Sequence, residues 1–271
     1  MVTFLPTPIG NLQDITLHTL EVLEKCEVLL CEDTRVTKKL ISLLVERNLL
    51  KAKEYQYLSF HTHNEKEFLS NVSLEFFSKN IGFLSDAGMP CISDPGVSLV
   101  RFLQENNLEY EVLGGISALT LSVAFSGIVE KEFLFLGFPP HKKKEKLEML
   151  MEHLKNPYPI IYYESPHRLL ETLEIIENID NQREIFLAKE LTKKYQQTFK
   201  GKIREILLDL KKGVIRGEWV MVIEGSKKST HENVLTQEMV YSLDIPPKIK
   251  AKILSKINNK PASEYYNALC K

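Results

Sequence analysis

The sequence predicts an α/β protein with a largely parallel sheet, and three observations support this. Short apolar runs, typical of buried strands, alternate with segments of helical periodicity along most of the chain. Polar or glycine-rich residues follow nearly every apolar run, so these loops are expected to collect at one edge of the sheet. The chain has 271 residues and is 44% hydrophobic, which suffices for one large domain or two small ones.

The strands are predicted from compact apolar or alternating runs. A run that is apolar throughout indicates a strand buried on both faces, whereas the alternating run at 195–199 is typical of an edge strand. The predicted strands are Val2–Leu5, Val28–Cys31, 55–60, Ile81–Leu84, 110–113, 133–138, 160–163, 185–188, 195–199 and Trp219–Ile223.

Helices are predicted between these strands from apolar residues at helical spacing. Asp14 is expected to cap the first helix, whose apolar face includes Ile15, Leu20 and Leu23. Asp94 is expected near the start of a helix at 97–103. The other helical segments are one through Leu40, Leu43 and Leu44, a weaker one through Phe68, Val72 and Phe76, one of small residues ending at Ser126, 147–154, one after Arg168, 247–257 and Ala262–Leu269.

The loop within 81–96, IGFLSDAGMPCISDPG, is the densest in turn residues. A strand, a glycine- and proline-rich loop and a helix follow one another there, which is the layout in which open α/β sheets bind ligands. Gly88 and Gly96 allow a close approach of the backbone to a ligand, while Asp86 and Asp94 offer acceptors for an amine or for hydroxyls. A structural turn with two helix-capping aspartates is the alternative interpretation.

Composition restricts the class of protein. The net charge is −1, so an anionic partner must be bound by local patches rather than by the molecule as a whole. The four cysteines form no CxxC pair, which fits a reducing compartment. No apolar run is long enough to span a bilayer and no signal-peptide pattern opens the chain, so a cytoplasmic protein is expected.

Several familiar functions lack their motifs. The GxGxxG and GxxxxGK[ST] patterns are absent, which weakens dehydrogenase and P-loop interpretations. His61 and His63 alternate on an extended segment and point to opposite faces, so no metal site is expected. A hydrolase based on Ser165 and His167 is conceivable, but no G-x-S-x-G elbow is present.

Two charged clusters follow predicted strands. Glu32-Asp33-Thr34-Arg35 combines two carboxylates with a cation, although a helix cap with a local ion pair would explain it equally. The second cluster, 164–168, contains an acid, a hydroxyl, an imidazole and a guanidinium around a proline turn.

Basic residues form three patches: Lys142, Lys143, Lys144 and Lys146; Lys193 and Lys194; and the lysines of the C-terminal tail. Lys248, Lys252 and Lys256 recur at helical spacing, each followed by an isoleucine, which predicts a short amphipathic helix with a cationic stripe suited to phosphates. A solvated cap helix is the alternative.

Taken together, the loops resemble one family. The motifs are PTPIGNLQDIT (6–16), EDTR (32–35), SFHTHNE (59–65), FLSDAGMPCISDPG (83–96), YYESPHRLLETL (162–173) and AKELTKKY (188–195). In this order they resemble the tetrapyrrole methylase superfamily, in particular its branch that methylates the ribose 2′-hydroxyl of a cytidine in small-subunit ribosomal RNA. The resemblance extends from about residue 2 to residue 225.

The resemblance implies two α/β domains, at 1–116 and 117–228, with S-adenosylmethionine held in the cleft between them, and a basic helical tail at 229–271. It also implies a homodimer acting on small ribosomal subunit RNA, with no metal and no membrane. The family commonly has Pro-Gly-Pro before Ser-Ala where this chain has Gly114-Gly115-Ile116, so contacts of that loop are less secure. The implied cofactor-binding residues are Pro8, Asp86, Met89, Pro90, Ser117, Ala118, Tyr163 and Leu191.

For the methyl transfer, a base near the ribose hydroxyl is expected to help. The candidates are Glu32, Asp33, His61 and Glu164, among which the sequence does not choose. Arg35 and Arg168 could bind RNA phosphates, Asn64 could orient the ribose or base, and Lys248, Lys252 and Lys256 could add phosphate contacts. The alternatives are a methyltransferase of the same superfamily acting on a tetrapyrrole and a non-catalytic RNA-binding protein.

Overall fold

The computed structural model describes residues 1–227, 236–258 and 260–270. The chain divides into two compact units, Met1–Ser226 and Lys227–Lys271. The predicted boundary at 228/229 lies outside the described residues. In the described ranges, no helix is both long and apolar enough to cross a membrane.

The first sheet is parallel throughout, as predicted. Its strands are β1 (Val2–Leu5), β2 (Val28–Cys31), β3 (Gln56–Ser59), β4 (Ile81–Leu84) and β5 (Tyr110–Val112), in the order β3-β2-β4-β1-β5. β1, β2 and β4 are buried at every position. Their uninterrupted apolar sequences are typical of central parallel strands, which are covered on both faces.

Four helices accompany this sheet: α1 (Leu17–Lys25), α2 (Thr34–Glu46), α3 (Glu65–Asn71) and α4 (Val97–Glu105). Alternate strand residues enter two separate cores. Leu5 belongs with residues of α1 and α2, whereas Phe4 belongs with residues of α4. Two short 3-10 turns, Leu12–Asp14 and Leu74–Ser78, complete the connections.

The second sheet is mixed, which corrects the expectation of a largely parallel arrangement. Its strands are β6 (Leu134–Phe135), β7 (Ile160–Glu164), β8 (Glu184–Lys189), β9 (Gln197–Lys202) and β10 (Trp219–Ile223), in the order β6-β7-β10-β8-β9. Only β6 and β7 pair in parallel. β10 returns between β7 and β8 in the opposite direction, and a short apolar run carries no information about strand direction.

The helices of the second sheet are α5 (Ala118–Ser126), α6 (Lys143–His153), α7 (Leu169–Ile179) and α8 (Ile203–Leu210). One core lies between the sheet and α6, α7 and α8, and a second core brings α5 against β8 and β10. The segment at 139–142 is a loop that joins β6 to α6, both of which accompany the second sheet. The division at 116/117 stays a prediction.

Several local predictions were wrong. Asp14 lies in a 3-10 turn, and the Thr16 hydroxyl caps α1 by accepting from the Thr19 N–H at 3.0 Å. Asp94 lies near the start of α4, as predicted, but the residue before the helix is Gly96, with φ of 122°, so the alternative in which Asp94 caps the helix is wrong. The strand expected at 133–138 is only two residues long, and α8 was missed.

Lys146 was expected in an exposed basic patch but is fully buried in α6. Its ammonium group lies 2.8 Å from the Glu171 carboxylate. A buried lysine needs such a partner, and here that partner comes from α7, 25 residues further along the chain.

The second unit contains α9 (Gln237–Ser242), which was missed, α10 (Pro247–Asn258) and α11 (Ala262–Leu269). The buried positions of α10 are Ala251 and Leu254, whereas Ile249 and Ile257 are exposed. The sequence suggested that the isoleucines form the apolar face of this helix. In the structure, Ala251 and Leu254 form it instead. Lys248, Lys252 and Lys256 are exposed along α10, as predicted.

Candidate functional site

A cavity of about 310 Å³ lies between the strand ends of the two sheets, within residues 1–226. The loop after β4 contributes one wall, and the ends of β7 and β8 contribute another. Because β10 is antiparallel to its neighbours, its first residues lie at the same edge as their last ones. The lining residues are Ile9, Ala87, Gly88, Met89, Ile92, Ser93, Asp94, Ser117, Ala118, Phe138, Tyr163, Glu164, Ser165, Pro166, Ala188, Leu191, Glu218, Trp219 and Val220.

Hydrogen bonds join the loop after β1 to the loop after β4 beside the cavity. Thr7 and Gly88 exchange two backbone hydrogen bonds of 2.9 and 3.0 Å, and the Thr7 hydroxyl donates to the Ser85 carbonyl at 3.3 Å. Gly88 has φ of 87°, a conformation that favours glycine. This bridge holds Ile9 and Met89 at the cavity wall.

Tyr163 joins the second sheet to the start of α5. Its hydroxyl accepts a hydrogen bond from the Leu119 N–H at 3.1 Å, and the Ser117 hydroxyl accepts from the same N–H at 3.2 Å. Phe135 and Phe138 pack against the Tyr163 ring edge to face. Burial raises the pKa of Tyr163, so the phenol stays protonated and can donate to Ser117.

In the loop before Ser117, the central glycine of the family pattern is kept as Gly115, and there is a steric reason for it. A Cβ atom at Gly115 would collide with the ring of Pro6, so the close approach of these two loops requires glycine there. Gly114 faces open space. Ser117 still caps α5, so the loss of the family's prolines leaves this contact in place.

Three carboxylates lie together at the edge of the first sheet: Glu32 after β2, and Asp86 and Asp94 after β4. The Asp86 N–H donates to Glu32 Oε2 and the Asp33 N–H donates to Asp86 Oδ1, both at 3.1 Å. Burial raises the pKa of all three, and with the charge of Glu32 it brings that of Asp94 to about 7. Asp94 is the member of this group that lines the cavity.

Asp33 and Arg35 form a forked ion pair at the start of α2. Arg35 Nη2 lies 2.6 Å from Asp33 Oδ2, and Arg35 Nε donates to Asp33 Oδ1 at 3.0 Å. The guanidinium lowers the pKa of Asp33 to about 2, so this carboxylate is a weak base. The side chain of Arg35 is 88% exposed and accessible to an external anion.

Asn64 holds the loop after β3 in place, and its expected role in orienting the ribose or base of RNA stays a prediction. Its Oδ1 accepts from the His61 N–H at 2.8 Å, and its Nδ2 donates to the Ser59 carbonyl at 2.9 Å. His61 Nδ1 accepts from the His63 N–H at 3.2 Å. Within the described part of the chain, no group of three or more His, Cys, Asp or Glu side chains could hold a metal ion.

Glu164 and Arg168 form an ion pair with each other. Glu164 is buried, and its carboxylate accepts from the Ser165 N–H, the Thr172 hydroxyl and Arg168 Nη2 at 2.7–2.8 Å. The other guanidinium nitrogens donate to the Pro139 carbonyl and the Ser165 hydroxyl. Each guanidinium nitrogen of Arg168 thus already has a partner within the protein, its role towards RNA phosphate stays a prediction, and Glu164 is not available for a Ser–His–acid relay.

The cavity unites some of the predicted site residues and leaves others beside it. Met89, Ser117, Ala118, Tyr163, Leu191 and Glu164 line it. Pro8, Asp86 and Pro90 are next in the chain to lining residues. Glu32 does not line the cavity but accepts a hydrogen bond from the Asp86 N–H. The lining residues at 218–220 were missed because the sequence did not reveal the direction of β10.

Two sheets whose strand ends enclose one cavity define an α/β protein that binds its ligand in a cleft. Comparison with known families gives the same result more specifically. Residues 1–207 match the family described as Tetrapyrrole (Corrin/Porphyrin) Methylases, so the chain belongs to this family. The resemblance found in the loop motifs is thereby confirmed.

The curated relatives agree. A protein of Helicobacter pylori strain J99 is 47% identical, over 98% of this chain and 96% of that protein. One of Campylobacter fetus is 47% identical over 99% of both chains, and one of Bacillus subtilis is 41% identical over 82% and 74%. Each is named ribosomal RNA small subunit methyltransferase I.

Solved structures share the fold at low identity. The methyltransferase CobJ has a TM-score of 0.58 and 15% identity, over 83% of this chain and 94% of that one. A uroporphyrin-III C-methyltransferase of Thermus thermophilus, complexed with S-adenyl homocysteine, has a TM-score of 0.55 and 14% identity, over 82% and 96%. The fold prediction of two tetrapyrrole-methylase sheets is thus confirmed.

Proposed function

We propose that this protein transfers a methyl group from S-adenosylmethionine to the ribose 2′-hydroxyl of a cytidine in small-subunit ribosomal RNA. The observation that carries the proposal is the cavity shared by Met89, Ser117 and Tyr163, which the family resemblance implies as cofactor-binding residues. The names of the relatives support the ribosomal substrate.

The side chains around the cavity suit this cofactor. Ile9, Leu191 and Val220 offer apolar walls for an adenine, and the carboxylates of Asp86 and Asp94 are acceptors for an amine. S-adenosylmethionine supplies an electrophilic methyl group bound to a sulfonium. Ser117 and Tyr163 hold the start of α5 in one position, and a fixed cleft can align the ribose oxygen, which alone can lower the barrier substantially.

RNA binding is assigned to exposed cations. Arg35 lies at the sheet edge that carries the site, and Lys248, Lys252 and Lys256 are exposed on α10. If the three lysines each bind a phosphate, replacing them by glutamine makes the dependence of RNA affinity on salt weaker. The magnitude of the slope of log K against log salt should fall by about 2. An unchanged slope would show that the tail makes no phosphate contacts. The proposal also includes that the protein is a homodimer and acts in the cytoplasm. Light scattering measures the mass in solution and so tests the dimer.

The test uses methyl-labelled S-adenosylmethionine with three acceptors: assembled small ribosomal subunits, naked small-subunit RNA and a porphyrinogen. Label on one cytidine ribose supports the proposal, whereas label on the porphyrinogen alone would make the protein a tetrapyrrole methyltransferase. Calorimetry with Asp86→Ala tests the cleft, since this variant is expected to lose cofactor binding. Wild-type affinity in that variant would remove Asp86 from the cofactor site.

A further inference from the structure

A second groove, of about 850 Å³, lies beside the cofactor cavity and is lined by different residues. Its walls come from the loop after β1, the segment after α2 and the loop after β8. Ile9 and Leu191 line the cavity, whereas the next residues in the chain, Gly10 and Thr192, line the groove. A long molecule that lies in this groove therefore passes directly beside the cavity.

The charged side chains of the groove differ in sign from those of the cavity. Three carboxylates line the cavity, whereas the charged side chains that the structure describes along the groove are three cations: Arg47, Lys193 and Lys194. We call it the basic groove. The net charge of the chain is −1, so an anionic partner needs a local group of cations such as this one.

Two of the three cations are available to an external anion. Lys193 Nζ donates to the carboxylates of Glu190 and Glu218, each at 3.0 Å, so its charge is compensated within the protein. Arg47 and Lys194 are exposed, and neither forms an ion pair in the described part of the chain. The groove can therefore compensate two negative charges of a partner.

The wall formed by the loop after β8 is held in one shape. Thr192 has φ of 63°, its N–H donates to Gln196 Oε1 at 2.7 Å, and its hydroxyl accepts from the Asn11 N–H at 3.0 Å. A Cβ at Gly10 would collide with the Lys193 side chain, so this close approach of the two loops requires glycine there. A wall that is already ordered loses little conformational freedom when a partner binds.

An exposed aromatic ring stands next to the basic groove. Tyr195 follows Lys194 in the chain and is 69% exposed, and Lys194 Nζ lies 5.5 Å from the centre of its ring. Cations that bind backbone phosphates, combined with an exposed ring on which a base can stack, are typical of proteins that bind single-stranded nucleic acid. Asn11 and Gln13 add amide groups that can bond to phosphate or to ribose hydroxyls.

We propose that the basic groove and Tyr195 bind a single-stranded stretch of the RNA next to the nucleotide that is methylated, an inference that rests on the proposed function. Arg47 and Lys194 bind two backbone phosphates, and a base stacks on Tyr195. These contacts are additional to those of Arg35 and the tail lysines. A strand held here keeps the neighbouring ribose close to the cofactor cavity, which favours the alignment that methyl transfer requires.

Arg47→Gln combined with Lys194→Gln tests the phosphate contacts. Filter binding measures the affinity for an RNA fragment that contains the acceptor cytidine, at several salt concentrations. Loss of two contacts to a single strand should lower the magnitude of the slope of log K against log salt by about 1.4. The matched control is Arg101→Gln combined with Lys155→Gln, which removes the same charge from exposed positions on α4 and before β7 and should leave the slope unchanged.

Single-turnover methylation separates binding from chemistry. In the variant of Arg47 and Lys194, the RNA concentration that gives half the maximal rate should rise about 25-fold at 0.1 M salt, as the same slope implies. The rate at saturating RNA and the affinity for S-adenosylmethionine should keep their wild-type values, because neither residue lines the cavity. Thermal unfolding verifies that each variant is folded.

Tyr195 gives a test that does not depend on charge. Tyr195→Ala should weaken the RNA affinity about 5- to 100-fold without changing the salt slope, because stacking releases no counterions. Tyr195→Phe keeps the ring and should bind RNA as the wild-type protein does. Wild-type affinity in Tyr195→Ala overturns the single-stranded partner.

The outcomes separate this inference from the proposed function, because filter binding does not require methyl transfer. A wild-type slope and affinity in the variant of Arg47 and Lys194 overturn the groove as an RNA site, even where the wild-type protein labels a cytidine ribose. A lower rate at saturating RNA, or weaker cofactor binding, also overturns it and assigns these residues to the cofactor cavity. Weaker RNA binding in the variants, with no ribose label from the wild-type protein, supports the groove and overturns the proposed reaction.

Discussion

Replacing Glu164 by glutamine distinguishes a structural from a catalytic carboxylate at the cavity wall. Glu164 is 1% exposed, and the Arg168 side chain that it neutralises is 16% exposed. Glutamine has nearly the same shape, and the Thr172 hydroxyl can reverse to accept from its amide. The main loss is therefore the charge opposite Arg168.

The magnitude follows from the burial of this pair. Removing one member of a buried ion pair costs about 3–5 kcal/mol, because the remaining charge is left without compensation. Arg168 is slightly exposed and keeps its bonds to the Pro139 carbonyl and the Ser165 hydroxyl, which reduces the cost to about 2–3 kcal/mol. For a unit of this size, that corresponds to a decrease in Tm of about 4–10 °C.

Urea and thermal unfolding measure the effect, and two variants serve as controls. Glu145→Gln breaks an exposed ion pair with Lys142 and should change stability by less than about 0.5 kcal/mol. In Glu164→Gln combined with Arg168→Met, the loss should be smaller than the sum of the single changes, because no buried charge remains unpaired. Unchanged stability together with a lost methylation rate would refute this reasoning and make Glu164 catalytic.

Three other predictions concern a tightly packed glycine, a hydrogen bond at the cavity and an ion pair. Gly225→Ala places a Cβ against the Pro157 carbonyl and should cost about 1–3 kcal/mol in urea unfolding; no loss would mean that the loop yields freely. Tyr163→Phe removes one of the two acceptors of the Leu119 N–H at the start of α5, and it should lower stability by about 1 kcal/mol and weaken cofactor binding in calorimetry. Because Arg35 lowers the pKa of Asp33, their pair stabilises above the ordinary aspartate pKa and is lost as pH falls to about 2; the NMR midpoint of Asp33 should rise in Arg35→Ala.

The sequence predicts elements best where a single local signal determines them. β1, β2, β4 and β10 have the predicted bounds, because a run of apolar residues buried on both faces admits few other interpretations. Strand direction in the second sheet could not be predicted in this way. It depends on β10 pairing with residues 30 or more positions earlier in the chain, which leaves no trace in the apolar run itself.

For the site too, local sequence predicts where the loop lies, whereas distant residues determine the environment of each side chain. The loop after β4 could be located from its glycines, prolines and aspartates alone. The state of each side chain could not, because partners far along the chain determine it. The Glu171 carboxylate lies beside the buried ammonium group of Lys146, and burial together with the nearby charge of Glu32 raises the pKa of Asp94.

The central position of β10 has a consequence for how the chain is made. The family match ends at residue 207, yet the strand that joins β7 to β8 begins at Trp219 and also supplies part of the cavity wall. On the ribosome, the first sheet can form early, but the second has a gap at its middle until residue 223 has left the exit tunnel. A nascent chain shorter than this exposes two unpaired strand edges and has no complete ligand cleft, so cofactor cannot stabilise it during synthesis.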